Sequence, residues 1–176
     1  MLLSRDKPHG RKWHSQMKSP DKTSSVFNRR SALMALVAAA AGVSLYRLTL
    51  VAPHYPGGSL TVAEAHKRAV GGSLILIDIR RPDEWKQTGI PQSAHPIDMR
   101  RDDFLQALMA IAGPDRARPI AVICARGVRS ARLSLQLTKA GFSAVLDVPE
   151  GMLGSGAGPG WLATGLPTEI YTESSE

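Results

Sequence analysis

The segment CARGVRS, residues 124–130, combines a potential nucleophile, Cys124, with two arginines and a glycine. Cys124 is the single cysteine of the chain, so it can join neither an internal disulfide nor a cysteine-pair metal site. The segment follows an apolar run and precedes a helical pattern, so unpaired backbone amides and the helix dipole would face the sulfur. Arg126 and Arg129 add positive charge. These surroundings favour the thiolate over the thiol and predict a reactive cysteine.

Gly127 bears on the choice between a reactive and a structural cysteine. A lone cysteine is often a buried apolar side chain, and its neighbouring arginines are then a solvated edge. A loop that wraps its amides around one atom needs a residue that can adopt positive φ and let the backbone approach closely. Gly127 is such a residue, so the pattern favours the reactive interpretation.

Three short apolar runs predict the strands that position this loop. They lie at residues 74–79, 120–123 and 144–148. Runs of this length without polar alternation are typical of strands covered on both faces in a parallel sheet. Because ligands gather at the carboxyl ends of parallel strands, Cys124 falls where a site is expected.

Helical patterns alternate with these strands. Thr61 and Glu64 have the spacing of a capping box at the start of a helix. The predicted helices cover residues 61–70, 82–86, 102–112 and 130–140. The alternation predicts an α/β domain with a small, mostly parallel sheet flanked by helices. The Gly-rich segment 151–167 is expected to be a turn-rich connection that packs Trp161 and Leu162 on the core.

Three segments in the same order resemble rhodanese-type sulfurtransferases. CARGVRS is similar to the family's active-site loop C-R-S-G-x-R-S, although Ala125 stands where the family has a basic residue. LILIDIRRPDEW, residues 74–85, resembles its strand-Asp-x-Arg-x-x-x-Glu-aromatic motif, and the Gly-rich segment with Trp161 resembles its closing motif. The resemblance covers about residues 59–168, which includes the whole predicted domain, residues 60–168.

The resemblance implies sulfur transfer through a persulfide on the catalytic Cys124. The thiolate would attack the outer sulfur of a small anionic donor such as thiosulfate, and a thiol or cyanide acceptor, or a protein acceptor, would then remove that sulfur. Arg126 and Arg129 would bind the donor anion. The implied substrate-binding residues are Ala125, Arg126, Gly127, Val128, Arg129 and Ser130. Neither a metal nor an organic cofactor is expected.

Asp78, Arg80 and Glu84 are expected to support the loop rather than to react. The four-residue spacing of Arg80 and Glu84 predicts an ion pair that fixes the connection below the active loop.

Two other functions remain open. A cysteine phosphatase has a C-x5-R loop, whereas Cys124 and Arg129 give C-x4-R, one residue shorter. A non-catalytic sulfur-carrier or redox-sensing module could keep the same fold without turnover.

The net charge of +7 resides mainly in the first 30 residues. They carry eight Lys and Arg against two Asp, a net charge of +6, whereas the rest of the chain has a net charge of +1. The predicted domain therefore lacks the cationic excess that nucleic-acid binding needs. Residues 1–30 are expected to be a disordered basic n-region.

Residues 31–52 predict a single hydrophobic helix before the domain. SALMALVAAAAGVSLY carries no charge, and NRRSALM around Arg29 and Arg30 resembles a twin-arginine export signal. An ordinary buried helix is the alternative. Because basic segments stay on the cytoplasmic side, the domain is expected in the periplasm, exported or anchored to the inner membrane if the leader is not cleaved. Residues 53–59 are predicted as a linker and 169–176 as a tail.

Overall fold

The computed structural model describes residues 29–172, so the predictions for residues 1–28 and 173–176 lie outside the described residues. Helix α1 (Arg29–Leu50) covers the predicted hydrophobic helix 31–52 except its last two residues, and large apolar side chains such as Leu33 and Val37 are exposed on it. Within the described part of the chain, no helix combines the length and apolarity needed to cross a membrane. The chain divides after Gly42, and the remaining elements belong to the second unit.

The second unit alternates short strands and helices. In chain order the elements are β1 (Gly58–Ser59), α2 (Val62–Val70), β2 (Ile75–Asp78), α3 (Pro82–Thr88), β3 (Ile90–Pro91), β4 (Ala94–Pro96), α4 (Phe104–Ala112), β5 (Ile120–Ile123), α5 (Val128–Lys139), β6 (Val145–Val148), α6 (Gly160–Ala163) and β7 (Thr168–Glu169).

A five-stranded parallel sheet in the order β1-β6-β5-β2-β4 forms the centre of the domain. All residues of β2 and β5 are buried, as their continuous apolar sequences predict. The register pairs Asp78 with Ile123, and Ile123 with Val148. The three central strands therefore end at the same edge, and the residues that follow them meet there.

Helices cover both faces of the sheet. On one face, Ile77 and Val122 pack with Leu108 of α4 and Leu133 of α5. On the other face, Leu76 and Ala121 pack with residues of α2 and with the buried Trp161. The mixed α/β architecture agrees with the fold class predicted from the sequence.

Local signals explain where several elements begin. The Thr61 side chain accepts a hydrogen bond from the Glu64 N–H while Glu64 binds the Thr61 backbone, which confirms the capping box at α2. Pro82 occupies the first turn of α3, where a missing N–H costs nothing. Helix α5 begins at Val128, two residues earlier than predicted, because Gly127 rather than a polar side chain occupies its N-cap position.

The ends of the domain differ from the predicted linker and tail. Gly58 and Ser59, predicted as linker, form the edge strand beside β6, and the Tyr55 hydroxyl donates to the Val145 carbonyl at 2.8 Å. Glu169, predicted as tail, pairs with Ile90, and the Tyr171 ring lies 5.1 Å from Trp85. These segments cover strand edges that would otherwise be exposed. Such contacts form only in the folded domain and leave no apolar pattern in the sequence.

Of the two residues of the Gly-rich segment that were predicted to pack on the core, only Trp161 is buried. Trp161 is fully buried, whereas Leu162 is 37% exposed. The short helix α6 can turn only one of these adjacent side chains toward the core.

Candidate active site

Cys124 follows β5 directly and is 1% exposed. Its Sγ accepts a hydrogen bond from the Gly127 N–H at 3.2 Å and lies 3.6 Å from Ser130 Oγ. The Ser130 hydroxyl donates to the Gly127 carbonyl at 3.1 Å. The chain from Cys124 to Ser130 therefore closes around the sulfur, as the sequence predicted.

Gly127 cannot carry a side chain in this loop. Its φ is 81°, and a Cβ would lie 2.2 Å from the Pro149 carbonyl oxygen. The position thus requires both positive φ and close backbone approach, for which only glycine is suited.

The segment after β6 holds the other side of the loop. The Met152 N–H donates to the Cys124 carbonyl and the Leu153 N–H to the Ala125 carbonyl, both at 2.9 Å. A Cβ on Gly151 would lie 2.6 Å from the Ala125 carbonyl oxygen. The loop is therefore fixed by its own turn and by the Gly-rich segment beside it.

Arg129 binds Glu84 through two parallel hydrogen bonds of 2.8 Å and 2.6 Å. The hydrogen bond with Glu84, together with the negative charges of Glu84, Cys124 and Asp78, raises the pKa of Arg129 against the effect of burial. Burial opposes ionisation of Glu84, but hydrogen bonds from Arg129 and the Arg81 backbone outweigh it and lower the Glu84 pKa. The prediction that Arg129 binds the donor anion is therefore revised, because its guanidinium is engaged by a carboxylate.

The predicted Arg80–Glu84 ion pair is wrong. Arg80 is buried and its guanidinium binds the Asp78 carboxylate, with the shortest contact at 2.6 Å. Arg80 touches Glu84 only at the backbone carbonyl, at 3.3 Å. Arg80 precedes α3, so the helical spacing rule does not apply to it, while Glu84 lies on the helix and turns toward Arg129.

Asp78 and Arg80 form a buried ion pair with each other, and their support of the active loop stays a prediction. Burial raises the pKa of Asp78, against the hydrogen bonds and charge of Arg80. The Arg80 guanidinium also donates to Thr88 Oγ1 and to the Gly89 carbonyl, each at 2.7 Å. It thereby ties the end of β2 to the end of α3.

A cavity of about 670 Å³ lies beside the loop. Arg126 and Val128 line one wall, Pro149 and residues 154–157 line another, and Ala52 completes the lining. Arg126 is exposed and forms no ion pair with any residue in the range 29–172. Of the two cations predicted to bind a donor, Arg126 is therefore the one whose charge is not neutralised by a carboxylate.

A family model for the rhodanese-like domain matches residues 61–154, more than half of the chain. The chain belongs to the rhodanese-like domain family. Its architecture is similar to the polysulfide-sulfur transferase homodimer of Wolinella succinogenes, with 31% identity, a TM-score of 0.50, and coverage of 64% of this chain and 78% of that one. It is also similar in fold to a rhodanese-like domain from Anabaena sp., with 20% identity, a TM-score of 0.50, and coverage of 67% and 86%.

This rhodanese-like domain has no cluster of His, Cys, Asp and Glu suited to a metal ion among its described residues. Cys124 and Ser130 are buried at the loop's base, Ala125 and Val128 are half-buried, and Arg126 is exposed. The geometry thus offers a buried thiol with hydrogen-bonding partners and, beside its loop, a cavity lined by Arg126, which forms no ion pair with a described residue.

Two buried acids near the rhodanese loop were not predicted. The Glu150 carboxylate accepts hydrogen bonds from the Val62 N–H at 3.1 Å and the Gly160 N–H at 3.2 Å. Asp147 on β6 is 5% exposed, and burial raises its pKa to about 6. A polar residue inside the apolar run VLDV was the available signal for Asp147.

Proposed function

We propose that this domain transfers sulfane sulfur through a persulfide on Cys124. The main observation behind the proposal is the position of Cys124 Sγ at the carboxyl end of β5, in a loop whose close packing requires Gly127. A cavity lined by the unpaired Arg126 lies beside this loop. The 31% identity to a polysulfide-sulfur transferase supports the same chemistry. The donor class is a small anionic compound with a sulfur–sulfur bond.

The reaction has two displacement steps. The Cys124 thiolate attacks the outer sulfur of the donor, its sulfur–sulfur bond breaks, and the remainder leaves with the electron pair. A thiolate or cyanide acceptor then attacks the outer persulfide sulfur and regenerates the Cys124 thiolate. The Gly127 N–H and the N-terminal turn of α5 stabilise the negative charge on sulfur in both steps.

The two arginines of the loop have different roles in this proposal. Arg126 attracts the donor anion at the edge of the cavity. Arg129 is held by two hydrogen bonds with Glu84, so it fixes the loop to α3 and leaves attraction of the donor to Arg126.

Mass spectrometry after treatment with thiosulfate or polysulfide tests the proposal. We expect a gain of about 32 Da per persulfide sulfur on the wild-type chain and none on Cys124→Ser. Release of that sulfur to added thiol or cyanide, with turnover, separates an enzyme from a carrier that only holds it. Hydrolysis of an aryl phosphate without persulfide formation would favour the cysteine phosphatase and refute sulfur transfer.

We also propose that residues 1–52 direct the domain out of the cytoplasm. The support is the net charge of +6 on residues 1–30, followed by the apolar sequence after Arg30. Fractionation of cells that express the full chain should place the domain in the periplasm or at the inner membrane. Joint replacement of Arg29 and Arg30 by Lys should retain it in the cytoplasm, whereas Arg47→Lys should not. Wild-type protein confined to the cytoplasm would refute export.

A further inference from the structure

The cavity beside the active loop adjoins the part of the loop that binds the sulfur. Arg126 and Val128, which line the cavity, flank Gly127, whose N–H donates to Cys124 Sγ at 3.2 Å. Cys124 is 1% exposed, so the reacting end of a donor enters the loop while the rest of the molecule remains outside it. The cavity is the concave surface that this remainder meets.

The side chains around the cavity are mainly apolar. They are those of Ala52, Val128, Pro149 and Ala157, while Gly154 and Gly156 contribute backbone only. The volume of about 670 Å³ lies within the range of about 300–1,000 Å³ that is typical of pockets for organic ligands. A thiosulfate ion has no apolar part and fills only a small fraction of this volume.

Two polar side chains also line the cavity, and one of them is already engaged. Ser155 Oγ donates to the Pro149 carbonyl at 2.8 Å and accepts from the Ala157 N–H at 3.0 Å. A hydroxyl has one proton, so Ser155 has none left for an anion. Arg126 forms no ion pair with a residue in the range 29–172. The lining side chains therefore offer one positive charge to a ligand.

One cation and apolar walls match a donor that has a single negative charge and an apolar group. Thiosulfate carries two negative charges, and moving the second from water to an apolar wall without a partner is unfavourable. An organic thiosulfonate, R–SO₂–S⁻, carries one charge, and its sulfonyl oxygens accept hydrogen bonds from a guanidinium. Burial of its R group adds binding free energy that an inorganic ion cannot provide.

We propose that the cavity favours organic donors of the thiosulfonate class over inorganic thiosulfate. This inference rests on the proposed function and assigns the donor of its first step. Arg126 binds the sulfonyl group, and the R group packs on Val128, Pro149 and Ala157. The Cys124 thiolate bonds to the outer sulfur, the bond between that sulfur and the sulfonyl sulfur breaks, and a sulfinate, R–SO₂⁻, leaves with the electron pair. The persulfide and the sulfinate carry the two negative charges of the reactants, so no further reactant is needed.

The rate of persulfide formation in the full-length protein tests this preference. Methanethiosulfonate and butanethiosulfonate share the reacting group, and the rate of each donor with free cysteine corrects for its intrinsic reactivity. Full burial of a methylene corresponds to about fourfold in affinity, so half-burial of the three additional methylenes in an open cavity gives about twofold for each. At subsaturating concentration, butanethiosulfonate should react about eightfold faster than methanethiosulfonate, and faster than thiosulfate by at least that factor.

Variants of the lining residues locate the effect. Val128→Thr keeps the shape of the side chain but replaces a methyl group by a hydroxyl, and should reduce the preference for the longer donor at least about twofold. Val70→Thr makes the same change on α2, where Val70 is exposed and does not line the cavity, and should retain the preference. Arg126→Gln removes the cation alone, so it should slow both thiosulfonates about tenfold and leave their ratio unchanged.

Binding of methanesulfonate and butanesulfonate, measured by calorimetry, separates this inference from sulfur transfer. These ions keep the sulfonyl group and the single charge but have no sulfur to transfer. The dissociation constant of butanesulfonate should be about eightfold lower than that of methanesulfonate for the wild-type protein and for Val70→Thr, and the difference should shrink in Val128→Thr. Binding of the alkyl chain to another apolar surface, such as that of α1, would not respond to Val128→Thr.

Equal corrected rates for the two thiosulfonates would overturn the inference, as would a chain-length preference that Val128→Thr leaves intact. Persulfide formation from thiosulfate would in either case still support the proposed function. If no donor forms a persulfide, sulfur transfer is refuted, and binding of the two sulfonates alone decides whether the cavity takes an apolar anion. If Val128→Thr does not fold, Ala157→Asn at the exposed wall replaces it in both measurements.

Discussion

At the residue scale, Gly127 is the position on which the geometry of the loop depends most directly. Its φ of 81° and the 2.2 Å separation between a Cβ and the Pro149 carbonyl oxygen are independent obstacles to any side chain. The first obstacle costs about 1–2 kcal/mol for an L residue, whereas the second forces the two backbone segments apart. The two effects can be separated because Gly113 has a φ of 78° and no atom within 4 Å of its Cβ position.

Gly127→Ala is therefore expected to reduce the rate of persulfide formation at least tenfold, because displacing the loop removes the amide from the sulfur. Gly113→Ala should lower the free energy of unfolding by about 1–3 kcal/mol, because its φ of 78° and ψ of −177° lie in a region almost confined to glycine, and should leave that rate unchanged. Mass spectrometry of samples quenched at set times measures the rate of persulfide formation, and urea denaturation measures the free energy of unfolding. Equal rates for both variants would show that the amide contact does not matter.

The Glu84–Arg129 pair is half-buried and bidentate, unlike the exposed pair of Arg81 with Asp83. Glu84→Gln should lower the free energy of unfolding by about 1–3 kcal/mol near neutral pH, whereas Asp83→Asn should change it by less than about 1 kcal/mol. The folded pKa of Glu84 is lowered, so its contribution is present above its unfolded pKa and is lost as the pH falls through the folded value. Urea denaturation should show the wild-type advantage disappear in acid; a constant difference would contradict the assignment.

Asp147 is expected to have the opposite pH dependence. Its folded pKa of about 6 lies above the ordinary 3.8, so its effect on stability is most favourable below the ordinary value and worsens as the pH rises through about 6. Asp147→Asn should thus be more stable than the wild-type protein by about 1–3 kcal/mol near pH 8 and gain little near pH 4. Thermal unfolding at both pH values measures this, and a gain that is independent of pH would contradict it.

At the element scale, the sequence predicted the three central strands to within one residue at each end, because nearly all of their residues are buried and most are apolar. It did not predict β1 or β4, since these edge strands have two and three residues with few buried side chains. In the site, it placed Cys124 and Gly127 correctly from the strand–loop–helix order. The partner of Arg129 depends on how α3 packs against the loop, and no spacing within one segment encodes that contact.

Glu150 joins two elements that are distant in sequence. Its carboxylate binds the first N–H of α2 and the first N–H of α6 and is 5% exposed. Glu150→Ala leaves both amides without this partner and should lower the free energy of unfolding by about 2–4 kcal/mol. Glu64→Ala, which removes the exposed capping partner of the same helix α2, should cost less than Glu150→Ala. Chemical denaturation that gave equal losses would show that burial adds nothing to the Glu150 contacts.

At the scale of the whole domain, segments before residue 60 and after residue 168 both take part in the fold. Before the sheet, Tyr55 packs on the core and its hydroxyl binds the β6 backbone. After α6, Trp161 Nε1 donates to the Pro167 carbonyl at 3.0 Å, and β7 pairs with β3 before Tyr171 reaches Trp85. The folding unit is thus wider than the segment from 60 to 168 that the motifs delimit.

A chain of residues 53–172 should consequently be more stable than one of residues 60–168. The shorter chain loses the buried part of Tyr55, the edge pairing of Gly58 and Ser59, and the ring contact of Tyr171, which together correspond to about 2–4 kcal/mol. Chains of residues 60–172 and 53–168 each lack one terminal segment, so they show how much each segment contributes to the free energy of unfolding. Because Cys124 follows the central strand β5, away from the removed segments in the strand order, all four chains should form the persulfide at temperatures where they are folded. Identical unfolding midpoints would show that the terminal segments do not contribute to the fold, and loss of the persulfide from a folded short chain would show that they help to shape the site.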